Sequence, residues 1–407
     1  MTDKHSCIGV LKETKTPPDR RVLLTPRIAK LFTEKYPNIK LLIQSSDLRC
    51  FKDEEYTSLG LDVVNDISKC DVLLGVKEVD IPKLIPDKQY HFFSHTHKKQ
   101  SYNRPLLQNM VKNRITMVDH ECLTYPNGAR VVAFGRWAGI VGAYNGLIAL
   151  GKRLGTFELK RAKDCFDLND MLKEVKKVKL PKNYKILITG MGRVAGGAIE
   201  TLAPLKIKKV KSVDFLTREF DEPVLCQIDA DEYVEHQDGT WISFPHFFNN
   251  PKEYKSIFKP YTKASDLWIP CHFWDQNSPK FLVHQDYLEK DFRIKIIADV
   301  SCDIADPIPS TLRASTIADP FYGYNPNTQK ESEAFDNNNI TVMAVDNLPG
   351  ELPRDASEDF SQVFLEEVIP SIIEEDDKEI IKRATICSNG KLTKEYEYLQ
   401  DFLEGKE

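Results

Sequence analysis

Short β-branched and apolar runs alternate along this chain with stretches whose apolar residues recur at helical spacing. From the amino end, "CIGV", "KLLIQ", "DVLLGV", "HFFS" and "ITMV" read as strands. Helices are expected after Pro26 and over Arg104–Lys112. This βαβα rhythm predicts a parallel sheet covered by helices. The run "RWAGIVGAYNGLIALGKRL", Arg136 to Leu154, is long, apolar and rich in small residues, as suits a helix packed closely by its neighbours. A polar, lysine-rich stretch, Lys160 to Lys182, reads as a surface excursion or linker. A second series opens at "YKILITG" and continues through "VKSVDFL", "DLWIPCHFW", "RIKIIADVS" and "ITVMAVDNLP". "SEDFSQVFLEEVIPSIIEE" and the tail "KEYEYLQDFLEG" carry amphipathic helical patterns.

The expected fold class is α/β, with two Rossmann-like parallel-sheet domains separated by a cleft where strand carboxyl ends converge. A length of 407 residues suits two domains, and 41% hydrophobic content is ample for their cores. The net charge of -5 gives no basic footprint for nucleic acid, although a site on an acidic protein can be locally positive. Nine cysteines without CxxC spacing imply neither a disulfide framework nor a structural zinc site. The opening "MTDKHSCIGVLKETK" lacks the apolar core of a signal peptide, and no apolar run approaches a membrane span. A reduced, cytoplasmic protein is expected, with small-molecule partners rather than nucleic acid or membrane, and with its oligomeric state open.

The clearest motif is "YKILITGMGRVAGGAIE". An apolar strand precedes Gly190-Met-Gly192-Arg193-Val-Ala195, which fits G-x-G-x-x-A opening a helix. Gly190 suits the tight turn, Gly192 the approach of a pyrophosphate, and Ala195 or Gly196 close packing of helix on strand. The cofactor expected is NAD or NADP. In "SVDFLTREFD", Asp214 points to NAD and Arg218 to NADP, with Glu219 blurring the choice.

Charged residues gather at other strand ends. "LLGVKEVD" sets Lys77 and Glu78 after an apolar run, a pattern that fits solvated loop charge or an amine tuned for proton transfer. Arg21 lies four residues before Thr25-Pro26; His95, Lys98 and Gln100 follow "HFFS"; Glu121 and Arg130 follow "ITMV". Asp299, Ser301, Asp303 and Asp346 stand at later strand ends. On a strand, His91, His95 and His97 share one face, but no carboxylate or cysteine accompanies them at ligand spacing, so no metal site is expected. The aromatics of "CHFWDQ" fit a core more readily than a nicotinamide platform.

At these residues the chain resembles a known family. The series "ETK…RxxLTP", "GxKE", "FxH…KxQ", "RVxAFG", "DVSxD" and "DNLP…LPRxAS" resembles lysine-forming saccharopine dehydrogenase, within the alanine dehydrogenase and transhydrogenase-like superfamily. "DVSCDIADPIPSTLRASTIADPF", "VDNLPGELP" and "SNGKLTKEYEYLQ" are most similar to the reductase half of the bifunctional lysine-degrading enzyme. The resemblance implies interconversion of saccharopine with L-lysine and 2-oxoglutarate through an imine reduced by NAD(P)H. It also implies a discontinuous substrate domain, residues 1–135 plus 347–407, around a dinucleotide domain, 136–346. Alanine dehydrogenase, or a dinucleotide-binding protein without turnover, would share parts of this pattern.

Residue by residue, the resemblance casts Lys77 as the base on the secondary amine and His95 as the acid–base group for the water step. Arg21, Lys98, Gln100, Glu121, Arg130, Phe134, Ser301, Cys302 and Asp303 fall on the substrate side, although Cys302 alone reads as a small packing residue. Gly190, Gly192, Arg193, Phe273, Val300, Val345, Asp346, Asn347 and Leu348 fall on the cofactor side, with Asp214 and Arg218 the candidates for the ribose. A free lysine titrates at about 10.4, so Lys77 needs burial and neighbouring cations to act near neutrality. Glu78 and Glu121 would raise its proton affinity, so their expected role is to hold Lys77 in place and limit the field of the arginines. The fungal NAD-dependent type carries a cysteine in its glycine loop where Val194 stands here, which makes a disulfide from that loop to Cys271 impossible.

Overall fold

A computed structural model describes residues 6–240 and 242–406. Two compact units divide the chain: one runs to Ala133 and resumes at Pro353, the other spans Phe134–Leu352. The first unit opens with β1 (Cys7–Val10), β2 (Lys40–Gln44), β3 (Asp62–Val64), β4 (Val72–Lys77), β5 (Gln89–Phe93) and β6 (Thr116–Asp119). In the second unit come β7 (Lys185–Thr189), β8 (Lys208–Lys209), β9 (Val224–Ile228), β10 (Val234–His236), β11 (Tyr254–Ser256) and β12 (Leu267–Pro270). It continues with β13 (Ile296–Ala298), β14 (Phe321–Asn325), β15 (Lys330–Ser332) and β16 (Ile340–Met343). The returning chain adds β17 (Thr385–Ser388) and β18 (Lys391–Leu392) to the first unit.

Each unit builds one eight-stranded sheet, in the orders β18-β17-β6-β5-β4-β1-β2-β3 and β15-β14-β16-β13-β12-β7-β9-β8. The six strands from β3 to β6 in the first order pair parallel, as do the six from β16 to β8 in the second. Antiparallel hairpins close one edge of each sheet. The α/β class is therefore as expected. The parallel strands are apolar on both faces because helices cover them, and Ile8, Val72, Leu73, Leu74, Ile186, Leu187 and Ile188 are all fully buried.

Chemistry at the element ends explains several boundaries. Thr25 caps the helix Pro26–Lys35, accepting the Ile28 N–H, with Pro26 at the first turn where no N–H is needed. The helix Gly135–Leu154 approaches the helix Arg193–Leu202 at backbone distance. A Cβ on Gly139 would fall 1.8 Å from the Val194 carbonyl oxygen, and one on Gly197 2.0 Å from that of Arg136. Close packing in this motif thus includes helix on helix through Gly197, whereas an added Cβ on Gly196 would meet nothing within 4 Å.

Three elements depart from the pattern read in the sequence. Within the lysine-rich stretch 160–182, Leu168–Val175 is a helix capped by Asp167, burying Met171 and Val175. "VKSVDFL" is not a strand: Ser212–Thr217 is a short helix that buries Phe215. The place beside β7 goes to "VLCQI", whose apolar residues can be buried on both faces. The tail is a 3-10 segment, Lys394–Leu399, broken at Tyr396, followed by the helix Gln400–Glu404. "SEDFSQVFLEEVIPSIIEE" is helical as expected, but passes through a π-helical turn, Phe364–Val368, just before Pro370, whose ring cannot donate to the ladder. No helix among the described residues is long and apolar enough to cross a membrane.

Candidate active site

In the first sheet β1 lies between β2 and β4, so the chain changes direction there and the carboxyl ends of β1 and β4 form the switch point where ligands bind in such folds. Lys77 ends β4 at this point. Its ammonium is destabilised by burial, then by Arg21 and Lys15, and favoured by Asp19 and Glu78; the balance lowers its pKa. Arg21 is nearly inaccessible and grips Asp19 with two bonds, Nε to Oδ1 at 3.0 Å and Nη2 to Oδ2 at 2.6 Å. Burial alone would raise the Asp19 pKa, but the Arg21 guanidinium holds it well below the usual carboxylate range. Glu78 reaches Lys15 at 2.6 Å. The carboxylate bonded to Lys77 is instead Glu13, whose Oε2 accepts the Lys77 backbone N–H at 2.8 Å. Glu13 is a site residue that sequence reasoning missed.

Glu121 organises a second group in the same unit. Its Oε2 receives His95 Nδ1 at 2.8 Å, and its Oε1 receives Lys98 Nζ at 2.9 Å and Arg130 Nη2 at 2.6 Å. Burial works against the Glu121 charge, yet bonds from His95 and Lys98 and the charge of Arg130 hold its pKa well below the usual range. Buried Asp119 shapes the loop, accepting the backbone N–H groups of His95 and Glu121. His95 itself adopts a left-handed conformation, φ 54°. With Nδ1 donating to Glu121, the neutral ring offers Nε2 as its accepting nitrogen. Gln100 is exposed and accepts from Tyr102.

The three histidines do not share a strand face. Only His91 lies in β5, where it is buried and bonded to Gln89, while His95 and His97 follow in a turn. His97 joins Asp119 and Cys122, with donor atoms within 4.8 Å of one another, because β6 runs parallel beside β5. Burial disfavours the His97 cation, but Asp119 and Cys122 push its pKa up to about 10; a carboxylate and a cysteine thus do accompany this histidine at ligand spacing, against the reading of the sequence.

In the second sheet the switch point lies between β7 and β12. Gly190 has φ +104°, and a Cβ there would fall 2.8 Å from the Cys271 carbonyl oxygen, so only glycine fits the turn. Around Gly192, which precedes the helix Arg193–Leu202, an added Cβ would meet nothing within 4 Å. That open helix start suits a pyrophosphate. Arg193 is exposed at the first helical position.

Neither Asp214 nor Arg218 ends the strand beside β7. They belong to the helix Ser212–Thr217 and its cap, and pair with each other at 2.9 Å. The carboxylate after that neighbouring strand is Asp229, directly following β9. The turn is tied to the glycine loop: Gly190 N–H donates to the Ile228 carbonyl, and Gln227 Nε2 to the Gly190 carbonyl. Glycine turn, open helix start and Asp229 together fit a dinucleotide.

The remaining candidates cluster at the ends of β13 and β16. Buried Asp299 accepts from the Ser301 N–H and hydroxyl, the Cys302 N–H and the Thr311 hydroxyl. That network fixes the loop carrying Val300, Ser301, Cys302 and Asp303. The Cys302 thiol donates to the Ala344 carbonyl, in keeping with a packing role. Val345 and Leu348 are buried, Asp346 is exposed, and Asn347 starts the 3-10 turn Leu348–Glu351. Phe273 is 83% exposed and Trp274 partly exposed, so the aromatics of "CHFWDQ" do not form the core expected of them. Phe134 precedes the first turn of the helix Gly135–Leu154.

The chain is similar to several known proteins. Residues 9–141 match the family described as alanine dehydrogenase/PNT, N-terminal domain. Alpha-aminoadipic semialdehyde synthase of Arabidopsis thaliana is 30% identical over 97% of this chain and 41% of its own length. Saccharopine dehydrogenase [NAD(+), L-lysine-forming] of Schizosaccharomyces pombe is 26% identical over 89% of this chain and 90% of its own. The chain is similar to the lysine-forming saccharopine dehydrogenases. It spans about half the length of the first curated relatives it matches. An L-alanine dehydrogenase structure shares the fold, with a TM-score of 0.67 at 16% identity, covering 98% of this chain and 99% of the other. Transhydrogenase from Sinorhizobium meliloti gives a TM-score of 0.58 at 12% identity, covering 95% and 98%.

Proposed function

We propose that this protein is an oxidoreductase acting on CH–NH bonds, interconverting saccharopine and water with L-lysine and 2-oxoglutarate. The observation that carries the reading is the lowered proton affinity of Lys77, at the switch point of a sheet whose neighbouring strand ends hold His95, Lys98 and Arg130. A nicotinamide dinucleotide, when bound, supplies or accepts the hydride. Lys77 takes the proton from the secondary amine as the imine forms, and returns it in the reductive direction. His95, held through Nδ1 by Glu121, moves protons on water and the carbinolamine oxygen at Nε2. Saccharopine brings carboxylates that Arg130 and Lys98 would orient, while Arg21, buried and held by Asp19, acts on the charge of Lys77 instead of on the substrate. From the family resemblance we assign Gln100, Phe134, Ser301, Cys302 and Asp303 to the substrate, and Gly190, Gly192, Arg193, Phe273, Val300, Val345, Asp346, Asn347 and Leu348 to the cofactor.

For the cofactor we propose NAD rather than NADP, because Asp229 replaces Asp214 and Arg218 as the group at the strand end. A carboxylate there accepts from a ribose diol and repels a 2′-phosphate. Lys209 and Lys211 line a cavity of ≈ 490 Å³ close by, which favours NADP as the second reading. We propose a cytoplasmic location, in keeping with nine cysteines that show no CxxC spacing.

The test follows cofactor absorbance with lysine plus 2-oxoglutarate, with NADH and NADPH side by side. Turnover with NADH supports the whole reading, and turnover with NADPH alone reverses the cofactor assignment. Oxidation with pyruvate and ammonia, but not with lysine and 2-oxoglutarate, would make it an alanine dehydrogenase-like enzyme. Tight dinucleotide binding without turnover of any amine and 2-oxo acid would make it a binding protein.

A further inference from the structure

The backbone that delivers Lys77 is irregular. Leu74 pairs with His91 and Lys77 with Phe93, so β4 carries one more residue than β5 across this interval. A bulge of this kind leaves backbone groups without ladder partners. Side chains from outside β4 take them. Glu13 Oε1 accepts the Val76 N–H at 2.7 Å while its Oε2 holds that of Lys77. On the preceding residue, His120 Nε2 donates to the Gly75 carbonyl at 2.9 Å. Three consecutive residues ending in Lys77 are thus fixed by one side chain following β1 and one following β6.

His120 has no room to wander. The His120 ring is fully buried among Phe93, Phe360 and Phe364, with ring centroids 5.2, 5.6 and 5.3 Å away. A Cβ on Gly75 would lie 3.2 Å from Leu11 and 3.6 Å from Glu13 Oε1, so the bulge is packed on its other side. We infer that Glu13 and His120 are positioning residues that clamp this bulge and so aim the Lys77 amine. The ionisation of His120 agrees with the role. Burial pushes His120 down to about 4, against the Gly75 bond and Asp119, so the ring stays neutral and donates only through Nε2. Desolvation and Asp19 push Glu13 up to about 8, against its two amide bonds and Arg21.

This inference rests on the proposed reaction for its kinetic consequence but not for its structural one. Hydrogen exchange of the Val76 and Lys77 amides reads the clamp without turnover. In the wild-type protein both amides should be protected although the bulge interrupts the ladder; exchange at free-chain rates would overturn the clamp. Glu13→Gln puts an NH2 where one N–H needs an acceptor, and should speed that exchange at least about tenfold, the scale of one lost hydrogen bond. Its kcat with lysine and 2-oxoglutarate should fall by about 100-fold while KM changes little, as expected for a misaimed reacting group. His120→Leu should behave alike, and His120→Gln, which keeps a donor, should recover most of both losses. Unchanged exchange and kcat in Glu13→Gln would overturn the inference. Should that variant fail to fold, the two His120 variants decide it by whether the donor rescues. A wild-type protein that turns over no amine and 2-oxo acid would sink the proposed function alone, since the exchange experiment would still stand.

Discussion

Two neighbouring places in the first sheet handle charge in opposite ways. At the end of β4, Lys77 is set in a pocket whose burial and cations work against its charge, and the nearby carboxylate Asp19 is already spent on Arg21. Past the ends of β5 and β6, one carboxylate, Glu121, satisfies His95, Lys98 and Arg130 together, two of them on a single oxygen. Desolvation governs the first place and ion pairing the second. A general base that must give up its proton near neutrality belongs in the first. Cations that must meet a substrate carboxylate belong in the second, where half-exposed Lys98 and Arg130 can exchange Glu121 for a ligand.

The contrast can be broken most forcefully at Lys77. Lys77→Met should lower turnover by about 100-fold or more, the scale of a lost acid–base group, with dinucleotide binding retained. Steady-state kinetics beside a binding titration checks both. Glu121→Gln should cost about tenfold in kcat, because one amide oxygen replaces the two carboxylate oxygens that hold His95, Lys98 and Arg130; Glu78→Gln, whose charge is spent on Lys15, should change far less. Asp229→Ser should narrow the preference for NADH over NADPH by about tenfold, one hydrogen-bonding partner's worth, read as a ratio of kcat/KM values. Arg130→Ala should mainly raise the KM of the 2-oxo acid.

Stability against pH sharpens the contrast inside the clamp itself. His120 titrates lower folded than unfolded, so the unfolded chain binds the extra proton between about 6.5 and about 4. Wild type should therefore lose roughly 3 kcal/mol relative to His120→Gln as pH falls through that window. Glu13 has the opposite sign. Its pKa is raised from 4.5 to about 8, so its contribution is complete below pH 4.5 and fades as pH rises through 8. Wild type should gain on Glu13→Gln as pH falls from 8 to 4.5. Denaturant melts across pH for the three proteins check both signs.

Where local pattern decides an element, the sequence was legible. The strands β1, β2, β4, β5, β6, β7, β12, β13 and β16, the helix Gly135–Leu154 and the glycine turn announce themselves through apolar runs, small residues and Gly190. Two signals were present but overlooked. Asn389-Gly390, both at positive φ, is the two-residue turn that joins β17 to β18. Leu168, Met171 and Val175 recur at helical spacing behind the cap Asp167, beneath a lysine-rich composition that suggested a linker. Asp229 was missed for a topological reason, since "VKSVDFL" looked like the next strand while the more apolar "VLCQI" took the place beside β7. Glu13 and His120 were beyond local reading. Their partners lie 63 or 64 and 45 residues away, and the groups they bind are backbone atoms that carry no side-chain signature.

The most direct measurement is the titration of the Lys77 amine in the folded protein, by competitive labelling at graded pH with the modified peptide quantified by mass spectrometry. The account predicts half-labelling well below that of the exposed lysines, moving back toward them when Arg21→Ala removes the adjacent cation. A Lys77 that labels in step with surface lysines in both proteins would contradict it.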